Sequence, residues 1–339
     1  AADGKDAMKR FLLRIGDYVF VMRPLILIPA WSFFLLGAAA GRGRTGFLLG
    51  FSDAPAAFFY SFGCLTAILV TAYLLNQVFD MDSDRRNRKG HYLTRGIFKV
   101  RTVVLMALVA FLLASYFFRF VNASQRLPLA VALVLSLTYS LPPLRLVARP
   151  FVDLLANAAG YGAVAFISGY AVYDASITDA AALSLPYVFL VGATFLHTTI
   201  LDIDGDKRSG KITTTVVVGV RRSAIAAWVL VVLGWVSAAL ISLPSYGNRL
   251  SLAILSLGFV VFSVAAFRIY RDGGTPVSSN TVQAATVLVT IPAAIAWPAY
   301  LFLLAPIVAA ARPYYRARFG LSYPGPASAT GPAQSPKDV

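Results

Sequence analysis

Several residue types that build enzyme sites are scarce or absent in this chain. Among its 339 residues there is no glutamate, one cysteine (Cys64) and only two histidines, His91 and His197. One cysteine excludes an intrachain disulfide framework and a cysteine-cluster metal site, and two histidines exclude a multi-histidine metal centre. The fifteen acidic residues are therefore all aspartates. Their carboxylates are the side chains that remain for metal binding.

Charged residues are also few, at 13%, whereas hydrophobic residues make up 58% and the mean hydropathy is +0.71. A soluble domain carries about 25% charged residues. We therefore predict an all-α polytopic membrane protein whose main solvent is lipid. The net charge of +15 does not indicate a nucleic-acid partner, because the basic loops are short and contain no nucleic-acid reading motif. Such loops are typical of a cytoplasmic face opposite anionic membrane lipid.

Apolar segments recur along the chain at about the 20-residue length that crosses the hydrocarbon core. We predict nine helices, at about 18–41, 56–79, 102–120, 127–141, 151–172, 181–201, 223–243, 250–270 and 281–311. The fourth is short and ends at Pro142-Pro143. The ninth contains Pro292 and Pro298, so we expect it to kink or tilt.

Most of the 30 Lys and Arg residues fall on one side of the membrane if the N-terminus lies in the cytoplasm, as the positive-inside rule requires. The exits of the second and sixth helices then face the cytoplasm. If the source is bacterial, we expect the membrane to be the plasma or inner membrane. We expect a cytoplasmic segment at 1–17, an intramembrane domain at 18–311 and a disordered tail at 312–339. Gly, Pro, Ser and Ala dominate the tail from about Gly320, a composition typical of disorder.

The first aspartate cluster follows the second predicted helix, in the sequence NQVFDMDSD at residues 76–84. Asn76, Asp80 and Asp84 are four residues apart, so on a helix they form one stripe, whereas Asp82 points elsewhere. The basic run RRNRKG comes directly after the cluster. Lysine and arginine at this place are suited to the oxygens of a diphosphate.

The second cluster follows the sixth predicted helix, in DIDGDKRSGK at residues 202–211. Asp202 and Asp206 share a helix face, and Asp204 does not. Like charges at this spacing destabilise a helix by roughly a few tenths of a kcal/mol, and carboxylates near lipid carry a desolvation cost. Mg²⁺ compensates both, since it binds one or two carboxylates together with substrate phosphates. The alternative to a metal site is that both clusters are solvated loop ends whose acids and bases neutralise each other. Two matched clusters make this alternative less favoured.

The two clusters resemble the signatures of the UbiA family of intramembrane prenyltransferases. The first is similar to N-D-x-x-D-x-x-x-D, with Gln77 where the family usually has aspartate. The second is similar to D-x-x-x-D with G-D-x-x-x-G-K-x-T. Arg23-Pro24 and the segment YSLPPLR at 139–145 match softer features of the family. The resemblance covers about residues 18–310 and implies a helical bundle around a central cavity.

The resemblance implies Mg²⁺-dependent transfer of a prenyl group from an isoprenoid diphosphate to a lipophilic acceptor within the membrane. The implied catalytic residues and metal ligands are Asn76, Asp80, Asp84, Asp202 and Asp206. The implied diphosphate-holding residues are Lys89, Tyr139, Arg145 and Lys207. The loop around Arg95 departs from the family pattern, and Gln77 removes one negative charge, which bears on metal stoichiometry or donor affinity. Aromatic quinone precursors are the preferred acceptors, while carotenoid ends, chlorophyllide, haem and glycerol phosphates are family alternatives.

Other side chains have two possible roles. Aromatic residues are candidates to stabilise a carbocation, although packing is the commoner role for any single one: Phe58, Phe59, Tyr60, Tyr73 and Phe79. His197 is a candidate proton acceptor, with hydrogen-bonded packing favoured. Asp153 and Asn157 share a helix face. For Asp153, the roles of functional intramembrane acid and of helix cap are equally favoured. The small residues Gly160, Gly162 and Gly169 indicate close helix packing.

Other functions would use the same aspartates. One is a divalent-cation carrier or channel, and another is the family variant that transfers phosphoribose to a polyprenyl phosphate. A purely structural membrane subunit leaves the clusters unexplained. Transport sites lie near the bilayer midplane and interrupt helices. Here the acids lie at helix exits followed by basic loops, which favours an enzyme acting on a diphosphate.

Overall fold

The prediction of an all-α membrane protein is confirmed in a computed structural model, which describes residues 2–42, 54–86, 91–174, 176–242, 247–272 and 276–321. All regular secondary structure in these ranges is helical. Eight helical segments in them are long and apolar enough to cross a membrane. The predicted count of about nine is therefore close.

Fifteen α-helices follow one another along the described chain. They are α1 Ala2–Val21, α2 Pro24–Gly41, α3 Ala56–Phe79, α4 Met81–Arg86, α5 His91–Thr94, α6 Val100–Phe118, α7 Ala123–Ser140, α8 Val152–Asn157, α9 Ala165–Tyr170, α10 Ile177–Ser209, α11 Thr214–Val218, α12 Val220–Ser242, α13 Gly247–Asp272, α14 Pro276–Ala296 and α15 Tyr300–Phe319. A π-helical stretch, Ala158–Val164, joins α8 to α9 in one membrane-crossing segment.

The helix predicted at 18–41 is two helices. The chain turns at Arg23, whose φ of 56° is left-handed, and α2 starts with Pro24 at its first position. Proline disfavours a helical conformation in the residue before it and is well suited to the first turn of a helix. The first membrane-crossing helix therefore begins at Pro24, and α1 is a separate element.

The ninth predicted helix is also divided. α14 ends at Ala296, before Pro298, and α15 starts at Tyr300. The predicted disordered tail begins too early, because α15 continues past residue 311 to Phe319. Residues 322–339 lie outside the described part of the chain.

Glycines allow α2 and α9 to pack with their backbones in close contact. A Cβ atom on Gly169 would lie 1.9 Å from the Phe34 carbonyl oxygen, and one on Gly37 would lie 2.0 Å from the Phe166 carbonyl oxygen. Any larger residue forces the backbones apart. The predicted packing role of Gly169 is therefore confirmed, and Gly162 has the same role against Val188, at 2.6 Å. Gly160 differs, since nothing lies within 4 Å of its added Cβ.

Candidate active site

The first aspartate cluster lies where α3 breaks. α3 ends at Phe79, and Asp80 caps it with a φ of −95°, after which the chain resumes as α4. The Asn76 amide Nδ2 donates to Asp80 Oδ2 at 2.8 Å and to Ser140 Oγ at 3.1 Å. The predicted shared face of Asn76 and Asp80 is therefore present, and the end of α7 supports it.

Arginines from distant parts of the chain pair with this cluster. Arg145 donates to Asp80 Oδ1 at 2.8 Å, and Arg23 lies 3.8 Å from Asp84 Oδ2. Asp80 is 9% exposed. A nearly buried carboxylate needs a charge partner or hydrogen-bond donors, and here Arg145 and Asn76 supply both.

The second cluster lies within one continuous helix. α10 runs for 33 residues to Ser209 and ends at Gly210, whose left-handed φ of 73° allows the Lys211 amide to donate to the Asp206 carbonyl. This turn carries the Lys211 ammonium to 3.9 Å from Asp206 Oδ1. Asp206 is 3% exposed, while Asp202 is partly buried and Asp204 exposed, as their positions on the helix predict.

The segments that carry the two clusters meet at one end of the bundle, where α4 contacts α10. A polar cavity of about 310 Å³ is lined by Asp82 and Arg145 from one side and by Gly210 and Lys211 from the other, together with Phe79, Ala148 and Ser209. The five predicted metal ligands are not among the residues that line this cavity. Asp82 was not among the predicted site residues, because the four-residue stripe leaves it out. Lys211 was also missed, although it belongs to the G-K pair of the second motif. The predicted Lys207 is exposed and lines neither this cavity nor the one described next.

A second cavity, of about 210 Å³, extends from the first cluster into the bundle. Its polar end is formed by Arg23, Asn76, Tyr139, Ser140 and Asn157. The remaining wall is mainly apolar and consists of Ile26, Ala30, Leu65, Leu69, Ala72, Ala132, Leu135, Ala156, Gly160 and Ala165, with Tyr73, Ser136 and Tyr161. The hydroxyls of Tyr73 and Tyr161 form a hydrogen bond with each other. Gly160, predicted as a packing glycine, instead leaves room in this cavity.

Other candidate residues have structural contacts. His197 is buried, with Nδ1 at 3.1 Å from Ser278 Oγ and its ring against Phe262, so it is a packing histidine as favoured. Phe58, Phe59 and Tyr60 do not line the two cavities, whereas Tyr73 and Phe79 do. Lys89 lies outside the described residues.

Asp153 is a structural carboxylate. It is fully buried, and its oxygens accept hydrogen bonds from the Thr214 amide at 2.9 Å, from the Thr214 hydroxyl and from the Leu154 amide at 2.8 Å. Thr214 in turn accepts from the Phe151 amide at 2.7 Å. Asp153 therefore fixes the chain that follows the second cluster against the start of α8.

The donor set suits a hard divalent cation, because it consists of carboxylates and amides without thiol or imidazole. No group of three acidic, histidine or cysteine side chains within the described residues is already arranged around one point. Instead Asp80, Asp84 and Asp206 each have a basic partner. The residues fit Mg²⁺ by chemistry, with arginine and lysine balancing the carboxylates.

Comparison with known proteins agrees with this arrangement. The model of the UbiA prenyltransferase family matches residues 26–279. The chain belongs to this family. Its members are prenyltransferases, so the resemblance seen in the two aspartate motifs is confirmed and the protein is a prenyltransferase.

Similar proteins include two archaeal enzymes named lycopene elongase/hydratase. The one from Haloferax volcanii is 30% identical over 76% of this chain and 84% of its own length, and the one from Halobacterium salinarum is 29% identical over 74% and 88%. A 1,4-dihydroxy-2-naphthoate octaprenyltransferase from Bacillus subtilis is 26% identical over 47% of this chain and 53% of its own length.

The fold matches solved structures of the family. A UbiA homologue from Archaeoglobus fulgidus, bound to GPP and Mg²⁺, superposes with a TM-score of 0.60 at 22% identity, covering 81% of this chain and 99% of that one. A homologue from Aeropyrum pernix gives 0.62 at 16% identity, covering 79% and 96%.

Proposed function

We propose that this prenyltransferase uses Mg²⁺ to transfer a prenyl group from an isoprenoid diphosphate to an apolar acceptor inside the membrane. The position of Asp80 is the observation that carries the proposal. Asp80 binds Asn76, which lines the apolar cavity, and Arg145, which lines the polar cavity. One carboxylate thus lies at the junction of a place for diphosphate and a place for a hydrocarbon chain.

The diphosphate belongs in the polar cavity. Arg145 and Lys211 supply positive charge there, and the lining also includes Asp82 of the first cluster and Ser209 and Gly210, which follow the second. Asn76, Asp80, Asp84, Asp202 and Asp206 would hold Mg²⁺. The chemistry that bound Mg²⁺ supplies is neutralisation of the charge that develops on the leaving diphosphate.

The prenyl chain extends into the apolar cavity. As its allylic C–O bond breaks, the bonding electrons leave with the diphosphate and an allylic cation remains. Leu65, Leu69 and Leu135 keep water away from it. Tyr73 and Tyr161 present polar aromatic rings beside the reacting end, where their π faces favour a cation. A carbon of the acceptor attacks, a C–C bond forms, and loss of a proton completes the transfer.

We favour a linear polyene as acceptor over an aromatic quinone precursor. Within the apolar cavity the described wall offers no cation beyond Arg23, which lies at the donor end beside Asp84. A carboxylated aromatic acceptor would need a second positive partner. The relatives named lycopene elongase/hydratase also align over more of the chain than the naphthoate enzyme does.

Cation transport is less consistent with this site. A transport site lies near the midplane of the bilayer, whereas no acidic residue lines the apolar cavity in the described part of the chain. The phosphoribose variant needs a sugar site, and the inner wall is formed mainly by alanine, leucine and isoleucine.

The test is prenyl transfer by the purified protein in lipid nanodiscs. Radiolabelled dimethylallyl, geranyl and geranylgeranyl diphosphates are each combined with lycopene or with 1,4-dihydroxy-2-naphthoate, in Mg²⁺ or in EDTA. We expect Mg²⁺-dependent labelling of lycopene. Labelling of the naphthoate alone would overturn the acceptor assignment. No labelled product and no Mg²⁺-dependent retention of any diphosphate would overturn the donor chemistry.

A cavity variant tests where the hydrocarbon lies. Gly160→Val adds a side chain where the structure has open space, so we expect lower turnover with the longest donors and little change in thermal stability. Gly258→Val is the matched control, because Gly258 packs in the bundle away from both cavities. An unchanged donor-length preference in Gly160→Val would contradict this placement.

A further inference from the structure

Helix α1 lies outside the segment that the family model matches and has two apolar faces. One face packs inside the protein, where Phe20 and Val21 are buried and the Phe20 ring stacks on Tyr314 with centroids 4.5 Å apart. The other face is exposed. It is a stripe at helical spacing with exposed fractions from 39% at Val19 to 60% at Phe11, formed by Met8, Phe11, Leu12, Ile15, Tyr18 and Val19.

Basic side chains border the exposed stripe on both sides. At 100° per residue, Lys9 lies beyond one edge of the stripe and Arg14 beyond the other, whereas Arg10 lies on the side of Asp17, and all three are exposed. The one acid between residues 7 and 21, Asp17, is buried on the inner face, where Arg318 binds it at 2.8 Å. The outer surface of this part of α1 is therefore apolar and positive.

We propose that α1 is an interfacial helix that binds the anionic lipid surface at the aspartate-cluster end of the bundle. Its stripe lies at the boundary of the acyl chains, and Lys9 and Arg14, which flank the stripe, contact the headgroup phosphates. The position follows from the chain, because α2, which enters the membrane, begins at Pro24, three residues after Val21. If α1 were surrounded by water, its row of large apolar side chains would be exposed to solvent.

Spin-label accessibility tests the placement of the stripe. Cys64 is the only cysteine and is buried, so a label at Leu12→Cys or Ile15→Cys reports on α1 in nanodiscs. We expect both labels to be relaxed more by oxygen than by a polar nickel complex. An exposed control label at Asp179→Cys should show the opposite preference. Nickel-favoured relaxation at both α1 positions would overturn the proposal.

Headgroup charge is tested with the double variant Lys9→Gln/Arg14→Gln, which removes the basic residue on each side of the stripe. We expect the wild-type unfolding midpoint to be higher in phosphatidylglycerol than in phosphatidylcholine nanodiscs, and this difference to fall by at least half in the variant. Arg119→Gln/Arg126→Gln removes two exposed arginines near the ends of α6 and α7 and should keep the difference. An equal loss in both variants would overturn specific binding by α1.

A second, independent observation concerns Gln77, the residue that departs from the family motif. Its side chain is buried, and Nε2 donates to the Val21 carbonyl at 2.9 Å and to the Tyr73 carbonyl at 3.0 Å. An aspartate here has no N–H to donate and would place negative oxygen against two carbonyls. The amide therefore ties the end of α1 to α3, one residue after Asn76.

Helix α15 fixes α1 from the other side. Asp17 accepts hydrogen bonds from Arg318 Nε at 2.8 Å, from its terminal nitrogen at 3.0 Å and from the Tyr314 hydroxyl at 2.7 Å. The next residue, Phe319, packs against the His91 ring with centroids 5.1 Å apart. The pair α1–α15 thus contacts both α3 and α5, the helix that follows the first aspartate cluster in the described chain.

We propose that Gln77 is a positioning residue that holds the first aspartate cluster through α1, and that it does not bind metal. This inference rests on the proposed function for its kinetic consequence. Gln77→Met keeps the size of the side chain and removes its donors. We expect the KM for the diphosphate donor to rise about tenfold with kcat within about twofold, because positioning and not chemistry changes.

A readout without turnover separates this inference from the proposed function. In Gln77→Met, hydrogen exchange at residues 18–24 should become faster, whereas the control Gln283→Met on α14 should leave it unchanged. Unchanged hydrogen exchange in Gln77→Met would overturn the proposal that Gln77 holds α1 against α3, whichever reaction the enzyme catalyses. Gln77→Asp should weaken Mg²⁺ retention of the donor, and stronger retention would show that this side chain faces the metal.

Discussion

The segments that carry the two aspartate clusters border one polar cavity, yet they are built in different ways. The first lies at a helix break, where α3 ends at Phe79 and Asp80 depends on Asn76 and Arg145 for its partners. The second lies in the unbroken helix α10, where the helix itself sets the directions of Asp202 and Asp206.

This difference indicates where each cluster is vulnerable. A continuous helix orients its own side chains, so the second cluster depends on local backbone and on the chain that follows Gly210. A broken helix does not, so the first cluster depends on residues far away in sequence, such as Arg145 and Arg23. Substitutions of the carboxylates themselves should be equally harmful, whereas substitutions of their supports should not.

The largest expected effect is the loss of a cluster carboxylate. Asp80→Asn and Asp206→Asn should each lower kcat/KM for the diphosphate donor by about 10²–10³, since each removes a carboxylate that would hold the Mg²⁺ needed to neutralise the leaving diphosphate. Initial rates of radiolabelled transfer measure this. Asp179→Asn, an exposed residue at the start of α10, should act like the wild type. A rate near that of the wild type in either cluster variant would contradict the expectation that both clusters are equally needed.

The next effect concerns the support of the second cluster. Asp153→Asn should lower the free energy of unfolding by about 3 kcal/mol, because a fully buried carboxylate with three donors loses charge-assisted hydrogen bonds. Thermal unfolding in detergent measures it. Asp272→Asn, with an exposed side chain paired to Arg271, should change little. Equal effects in the two variants would show that the Thr214 contact carries no stability.

The basic partners should differ between the clusters. Arg145→Gln should destabilise by about 1–2 kcal/mol, because it leaves the nearly buried Asp80 without its 2.8 Å partner. Lys211→Gln should cost less than about 1 kcal/mol, since its ammonium is 3.9 Å from Asp206. Unfolding midpoints of the two variants, compared without substrate, test the order. A larger loss in Lys211→Gln would reverse the comparison.

The last expected effect is a pH dependence in α5, which follows the first cluster. Burial, and then the charge of Arg95, lower the pKa of His91 from 6.5 to about 4. Between these values the unfolded chain binds more protons than the folded one, so stability is complete above pH 6.5 and falls as the pH decreases towards 4. Unfolding midpoints from pH 7 to 4 should fall more steeply in the wild type than in His91→Gln. Parallel curves would contradict this shift.

The sequence predicted helices best where the pattern was long and continuous. The faces of Asp202, Asp204 and Asp206 followed from helical spacing, because α10 is unbroken through the motif. The separate α1 was missed, since the apolar pattern runs on across Arg23-Pro24. The helical end of α15 was missed because proline and arginine in residues 312–319 give a weak apolar pattern, while contacts to Asp17 stabilise it.

By itself the sequence determined that this protein lies in the membrane, that it is helical, and that it contains two aspartate motifs resembling those of its family. These features follow from composition and local spacing, which act within one helix. Only the tertiary structure decided which charges pair, where Asp82 and Lys211 lie, and why Gln77 is an amide. Those contacts join residues far apart in the chain, so they depend on how the helices pack, which local patterns do not specify.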